Sequence, residues 1–122
     1  MSAGEVQAGV VEKEITIIEN EPAHLLCSTT LNNPVWWTVR TILHRDRDRR
    51  PIYRHKLLVD TFKQTGRYTV TYNGGVYNLT IINTTVTDAG EYQCIEDQGL
   101  GTVSSIFMNV LGKNIELFES LS

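Results

Sequence analysis

Few side chains in this sequence could carry out covalent or acid–base chemistry. The chain has two cysteines, Cys27 and Cys94, and three histidines, but no Cys-x-x-Cys pair and no cysteine–histidine cluster. Zinc binding is therefore not indicated. The cysteines form either one disulfide, which requires an oxidising compartment, or two buried thiols in a reducing one. A disulfide between positions 67 apart would stabilise the fold by about 4 kcal/mol in the chain-entropy model.

The polar residues do not predict an enzyme. The sequence lacks a recognisable nucleophile–base–orienting set, an HExxH motif and a phosphate-binding Gly–Lys loop, and its carboxylates are scattered. We therefore expect no catalytic residue, no metal and no cofactor. The 122 residues suffice for one domain, and no run approaches the roughly 20 apolar residues needed to cross a bilayer, so this segment is not expected to insert into a membrane.

Charge is distributed unevenly along the chain. Residues 40–56 contain seven of the eleven basic residues and two of the fourteen acidic ones. This basic stretch could bind an acidic partner, or another copy of the chain head to tail. A solvated loop with internal Arg–Asp pairs is nearly as good an explanation. Nucleic acid is not favoured, because the overall charge is −3. The candidate polyanion-binding residues are Arg45, Arg47, Arg49, Arg50 and Arg54.

Alternating apolar and polar residues between Gly, Pro and Asn turns predict an all-β protein. Ala23, Leu25 and Cys27 would share the inward face of one strand. Asn73-Gly74-Gly75 predicts a hairpin turn. In the strand that contains both tryptophans, an inward Trp37 brings Val35 and Val39 with it, so Trp37 is favoured as the core residue over Trp36.

The motif that best defines the fold surrounds the second cysteine. Tyr92 lies two residues before Cys94 and four after Asp88, a spacing that lets its hydroxyl turn back onto the preceding corner. Together with Cys27 and the intervening Trp37, this Cys…Trp…Tyr-x-Cys pattern resembles the immunoglobulin family from about Ile15 to Val110. The resemblance implies a Cys27–Cys94 disulfide between two sheets and an ion pair of Arg67 with Asp88.

The cysteine spacing further resembles the variable type of this family, because residues 42–63 leave room for two extra edge strands, C′ and C″. The expected architecture is a two-sheet Greek-key β-sandwich. We expect an N-terminal segment and first strand in residues 1–13, the domain in residues 14–111, and a linker or the start of another domain in residues 112–122. Two departures from the family pattern are Thr84, where an apolar residue is usual, and Thr38-Val39-Arg40 after the tryptophans, which argues against an antibody-like pairing interface.

Residues 99–102, Gly-Leu-Gly-Thr, resemble the G-x-G-T of the joining segment in antigen-receptor domains. The aromatic residue that precedes this motif in the family is absent, since Gln98 is there. A plain glycine hairpin is the favoured alternative.

Asn78-Leu-Thr80 and Asn83-Thr-Thr85 match the pattern for N-glycosylation. By alternation Asn78 points outward from one sheet, with Asn83 near the following bend, so glycans there would leave the other sheet open. That open sheet would expose aromatic and aliphatic side chains beside an arginine, a composition typical of interface centres. Burial of these side chains under the long loop is the alternative. The candidate partner-binding residues are Trp36, Thr38, Arg40, Tyr53, Gln93, Ile95 and Phe107.

The sequence therefore favours an extracellular recognition module of a cell-surface adhesion or immune-type receptor. The resemblance implies that it binds another protein through this sheet, and the charge distribution favours another copy of itself among the options. The alternative function is binding of an acidic glycan or other polyanion by the Arg45–Arg54 hairpin. A purely structural spacer would show neither activity.

Overall fold

The computed structural model describes residues 10–29, 34–96 and 103–112, which form nine strands in two packed sheets. A four-residue helix, α1 (Asp60–Lys63), and two short 3-10 turns, Ile42–His44 and Val86–Asp88, connect some of them. Among the described residues no helix is long and apolar enough to cross a membrane. The strands are β1 (Val10–Ile18), β2 (Ala23–Ser28), β3 (Val35–Thr41), β4 (Arg50–Arg54), β5 (Leu57–Leu58), β6 (Tyr68–Asn73), β7 (Val76–Ile81), β8 (Gly90–Glu96) and β9 (Val103–Leu111).

One sheet has six strands in the order β1-β9-β8-β3-β4-β5, and the other has three in the order β2-β7-β6. The β4–β5 hairpin forms the edge of the larger sheet and supplies the two extra strands that the cysteine spacing predicts. All strand pairs are antiparallel except β1 with β9, which run parallel from Val10–Val103 to Ile18–Leu111. The predicted all-β, variable-type sandwich is thus confirmed.

The core lies between the sheets and is crossed by a disulfide from Cys27 on β2 to Cys94 on β8. Trp37 is fully buried in this core, as the alternation in β3 predicts, together with Leu25 and Leu79. Apolar residues at every second position of each strand face the other sheet, which removes them from water and provides the main favourable contribution to folding. The alternating pattern therefore fixes which face of each sheet remains available for binding.

The corner before β8 is held by a connected set of hydrogen bonds. The Tyr92 hydroxyl donates to the Asp88 carbonyl oxygen at 2.6 Å. Two guanidinium nitrogens of Arg67 donate to the Asp88 carboxylate at 2.8 and 3.1 Å, and the backbone N–H of Thr85 donates to the same carboxylate at 2.8 Å. Bidentate arginine–carboxylate pairing adds geometric specificity to the attraction. The corner thus has the Arg67–Asp88 pair that the resemblance implies.

Thr84 is fully buried although it is polar. Its hydroxyl donates to the Glu21 carbonyl oxygen at 2.7 Å, and its own carbonyl oxygen accepts from the Asn20 N–H at 2.8 Å. A buried hydroxyl is tolerated when it is hydrogen-bonded. Thr84 therefore ties the β1–β2 turn to the corner, which explains a threonine where the family pattern has an apolar residue.

The β6–β7 hairpin turns through two glycines with positive φ, Gly74 at 59° and Gly75 at 88°. A two-residue turn that matches the twist of its strands requires positive φ at both positions, which glycine adopts without steric cost. This agrees with the hairpin predicted from Asn73-Gly74-Gly75.

Candidate functional site

The candidate site is the outer face of the six-stranded sheet, the face turned away from the disulfide. Its lower end is where β3 finishes at Thr41 and β8 begins at Gly90, and its upper end is where Val35 pairs with Glu96. At the lower end lie Arg40, a side chain 41% exposed, and Phe107, which is 42% exposed. The outer face therefore combines an accessible cation with an accessible aromatic ring.

At the upper end Trp36 is half-buried rather than exposed. Its ring meets the ring of His55 edge-on, with centroids 5.8 Å apart. His55 has a left-handed backbone, φ 54°, in the β4–β5 turn. The hairpin thus covers part of the indole and leaves the rest at the surface beside the half-buried Ile95 of the neighbouring strand.

The expectation that Thr38 is exposed is wrong, and alternation along β9 would likewise have exposed Ser105. Both are buried in the middle of the outer face, where Gln93 pairs with Thr38 on one side and Ser105 on the other. The longer Gln93 side chain is half-buried and donates from Nε2 to the Ser105 hydroxyl at 3.0 Å. Short side chains in central strands are covered by longer neighbours even when they point away from the core. A polar band therefore separates the upper and lower ends.

The placement of Tyr53 on the outer face is also wrong. The β3–β4 register skips Ile52, because Trp37 pairs with Tyr53 and Thr38 pairs with Pro51. Such a bulge disrupts strict alternation. Ile52 is fully buried and Tyr53 packs against the core, so the bulge turns both of them inward.

Two arginines share one carboxylate at the lower end. Arg49 donates to the Glu91 carboxylate and, at 3.3 Å, to the Glu91 carbonyl oxygen, while an Arg40 guanidinium nitrogen lies 3.8 Å from the same carboxylate. Burial lowers the pKa of Arg49, and the Glu91 charge opposes that effect. The cluster keeps one excess positive charge. Glu91 was not among the residues predicted for this site, although its even-numbered spacing from Gln93 and Ile95 places it on the same face of β8.

A groove of about 220 Å³ lies beside this cluster and is bordered by Ile42, Arg45 and Phe107. Gly90 lines it where β8 approaches β3 so closely that a Cβ on Gly90 would lie 2.5 Å from the Arg40 carbonyl oxygen. Any larger residue at position 90 would force the strands apart. Glycine at this position therefore fixes how the two strands meet at the lower end.

The five arginines proposed for polyanion binding do not form one uniform patch. Arg49 binds Glu91, and the Arg50 guanidinium lies over the Phe62 ring at 5.1 Å. The other three, Arg45, Arg47 and Arg54, are exposed and have no ion-pair partner among the described residues. The Arg–Asp pairs considered within residues 45–49 do not form in that part of the chain. Three arginines are thus available to an external anion.

Asn78 and Asn83 lie on the other sheet and just after it. Asn78 is half-buried on β7, and Asn83 is exposed with φ 51°. Their role as glycan acceptors stays a prediction. The candidate joining segment, residues 99–102, lies outside the described residues. No group of three or more metal-ligating side chains occurs within residues 10–29, 34–96 and 103–112.

No protein-family model matches the chain. A stretch of 56 residues, 46% of the chain, is 43% identical to human Contactin-4 and spans 5% of that protein. Two solved structures of immunoglobulin domains cover most of the chain. The IG1 domain of ZIG-8, solved as a homodimer, has a TM-score of 0.67 at 18% identity over 84% of this chain and 81% of that one. The first immunoglobulin domain of the mouse polymeric immunoglobulin receptor has a TM-score of 0.62 at 18% identity, over 81% and 89%.

A third structure, the IG1–IG1 heterodimer of ZIG-8 with RIG-5, has a TM-score of 0.62 at 17% identity and covers 82% of each chain. These similarities agree with the strand order and the disulfide described above. At this level of identity they establish the fold.

Proposed function

We propose that this chain, which has the fold of a variable-type immunoglobulin domain, is an extracellular protein-recognition module that binds through the outer face of its six-stranded sheet. The observation that carries the proposal is the presence on one face of exposed Phe107 and Arg40 at its lower end and of half-buried Trp36 and Ile95 at its upper end. Aromatic residues and arginine are enriched where interfaces contribute most of their binding energy. The disulfide is consistent with an oxidising, extracellular location.

Self-association is the form of binding that we propose. Two of the similar solved structures are a homodimer and a heterodimer of such domains. Within this chain, residues 40–56 are strongly basic and the remaining residues are acidic on balance, so two copies can attract one another. Because the basic stretch of one copy would contact the acidic surface of the other, the expected contact is head to tail, with different surfaces of the two copies meeting.

Sedimentation velocity over a range of concentrations tests the proposal. The wild-type chain should sediment faster as its concentration rises, and Trp36→Asp or Arg40→Glu should abolish that rise. Leu26→Asp is the matched control, because Leu26 is 49% exposed on the outer face of the other sheet. A wild-type chain that stays monomeric at high concentration, unaltered by either change, contradicts self-association.

Polyanion binding is a second candidate, favoured by the exposed and unpaired Arg45, Arg47 and Arg54. If the chain binds heparin electrostatically, salt should elute it from a heparin column. The salt concentration needed should be lower for an Arg45→Ser, Arg47→Ser double variant than for the wild type. A Lys13→Ser, Lys63→Ser double variant controls for net charge, since both lysines are exposed and lie outside the basic stretch. Equal elution of the two double variants contradicts a specific polyanion site.

A further inference from the structure

The lower end of the outer face has a second feature that the sheet as a whole does not require. The groove of about 220 Å³ there has apolar borders and a positive rim. Ile42 is 53% exposed and Phe107 is 42% exposed, so neither side chain is buried in the core. Apolar side chains left in water around one concavity indicate a contact that is completed by something else.

The rim of this groove is cationic. Arg45 borders it without an ion-pair partner among the described residues, and Arg40 borders it at 3.8 Å from Glu91. Glu91 is an acidic residue at the groove, but its charge is already balanced by Arg49. A carboxylate entering the groove would therefore meet two arginines and an acid that is already satisfied.

A second concavity, of about 310 Å³, adjoins the first and shares Arg40 and Thr41 with it. It is bordered by Arg47, Arg49 and Arg50, with Asp48 as its acidic member. Arg40 thus lies between a groove with apolar borders and a groove with basic ones. An extended chain crossing Arg40 would meet apolar surface on one side and positive charge on the other.

We infer that the lower end binds an acidic segment of a partner protein that carries one leucine-like or aromatic side chain between its carboxylates. The inference rests on the proposed function and specifies the chemistry of the partner at this part of the same face. The apolar side chain fills the groove between Ile42 and Phe107, and the flanking carboxylates bind Arg45 and the arginines beyond Arg40.

The dimensions and the apolar borders favour this occupant over two others. Sites for drug-sized ligands typically measure about 300 to 1,000 Å³, so the apolar groove fits one side chain better than a whole small molecule. A sulfated glycan would satisfy the arginines but would leave Ile42 and Phe107 exposed to water. A partner that carries both an apolar side chain and carboxylates contacts both the apolar borders of the groove and the arginines around it.

Two five-residue peptides test the inference, one with a central leucine flanked by two glutamates on each side and one with a central serine instead. NMR titration of the monomeric chain at low concentration should show shifts at Ile42 and Phe107 with the leucine peptide. Because burying a leucine side chain removes apolar surface from water, this peptide should bind about tenfold more tightly than the serine peptide. Arg45→Gln and Ile42→Ser, both at exposed positions, should each weaken its binding at least about threefold, and Leu26→Ser should not.

Equal affinity for the two peptides, or shifts that avoid Ile42 and Phe107, would overturn the inference. Tighter binding of a heparin hexasaccharide that also avoids these two residues would overturn it in favour of the polyanion site. The outcome is separable from that of the proposed function, because the peptides report on the lower groove, whereas Trp36→Asp changes only the upper end; Arg40→Glu affects both, since Arg40 borders the groove. A chain that dimerises through Trp36 but binds neither peptide keeps the proposed function and loses this inference.

Discussion

The described residues include two arginine–carboxylate clusters that lie close together in sequence and on opposite sides of the same sheet. Asp88 is 8% exposed and accepts hydrogen bonds from Arg67 and from the Thr85 backbone, inside the corner that leads into β8. Glu91, three residues later, points to the outer face and is shared by Arg40 and Arg49. The first cluster balances its charges and closes a corner, whereas the second keeps an excess cation at the surface.

The difference shows how one strand can serve two purposes. Alternate residues of β8 face opposite sides, so Tyr92 holds the corner while its neighbour Glu91 organises the binding face. A balanced and hydrogen-bonded pair contributes to stability chiefly because loss of one partner leaves the other uncompensated. An unbalanced surface cluster contributes little to stability but provides charge for a partner.

The largest effect should come from Asp88→Ala. Removing this carboxylate leaves Arg67 and the Thr85 N–H without their acceptor, so we expect the free energy of unfolding to fall by about 3 kcal/mol. Glu91→Ala, the matched change in the other cluster, should cost about 1 kcal/mol, because Arg40 and Arg49 can turn toward water. Urea unfolding measures both, and equal losses in the two variants would contradict the distinction between the clusters.

An intermediate effect is expected from Tyr92→Phe, which removes only the hydroxyl that donates to the Asp88 carbonyl oxygen. Loss of this buried hydrogen bond should lower the free energy of unfolding by about 1 to 1.5 kcal/mol. Glu91→Gln, on the adjacent residue, controls for a polar change that does not touch the corner. A Tyr92→Phe chain as stable as the wild type would show that the hydroxyl contributes nothing.

Because of Tyr92, we also expect the stability of the fold to depend on pH in the alkaline range. Burial raises the pKa of Tyr92, so the folded chain retains a phenol proton that the unfolded chain releases above its ordinary pKa of about 10. The associated stability is complete below about pH 10 and declines as the pH rises further. Burial also raises the pKa of Tyr53, Tyr68 and Tyr77, so the decline should become shallower in Tyr92→Phe without disappearing. Thermal melts between about pH 8 and 11 measure this slope.

The smallest effect on stability, below about 0.5 kcal/mol, is expected from Glu91→Gln, because the amide can still accept a hydrogen bond from Arg49. Its effect on binding should be larger, since the lower end gains one positive charge. We expect the leucine–glutamate peptide to bind about threefold more tightly, with a steeper dependence on salt. Asp60→Asn on α1 makes the same change in net charge away from the face. If both variants gain equally, overall charge rather than the Arg40–Arg49–Glu91 cluster controls binding.

The features that could be predicted from the sequence depend on short-range patterns. Alternation identified Trp37 and Leu25 as core residues, because neighbouring side chains on a regular strand must face opposite sides. The Tyr92 corner was predictable because Tyr92 and Asp88 are only four residues apart, so their contact depends on local sequence. Regular local geometry is thus recoverable from residue order.

The features that were missed depend on departures from that regularity or on contacts between distant segments. The bulge at Ile52 turns Tyr53 toward the core; Pro51 marks an irregular position in this strand but does not show which side chain turns inward. The bond of Arg49 to Glu91 joins positions 42 residues apart. Burial of Thr38 and Ser105 depends on the length of Gln93, a neighbour across two strand pairs. Such features require the three-dimensional arrangement.

The parallel pairing of β1 with β9 also determines how tension would act on this domain. The described chain enters this ladder at Val10 and leaves it at Leu111, which lie at opposite ends of the nine paired positions. A force that pulls these two ends apart is directed along both strands, so it loads the hydrogen bonds between them together in shear instead of opening them one after another. If the domain connects two anchored structures, its first and last strands therefore act as a mechanical clamp.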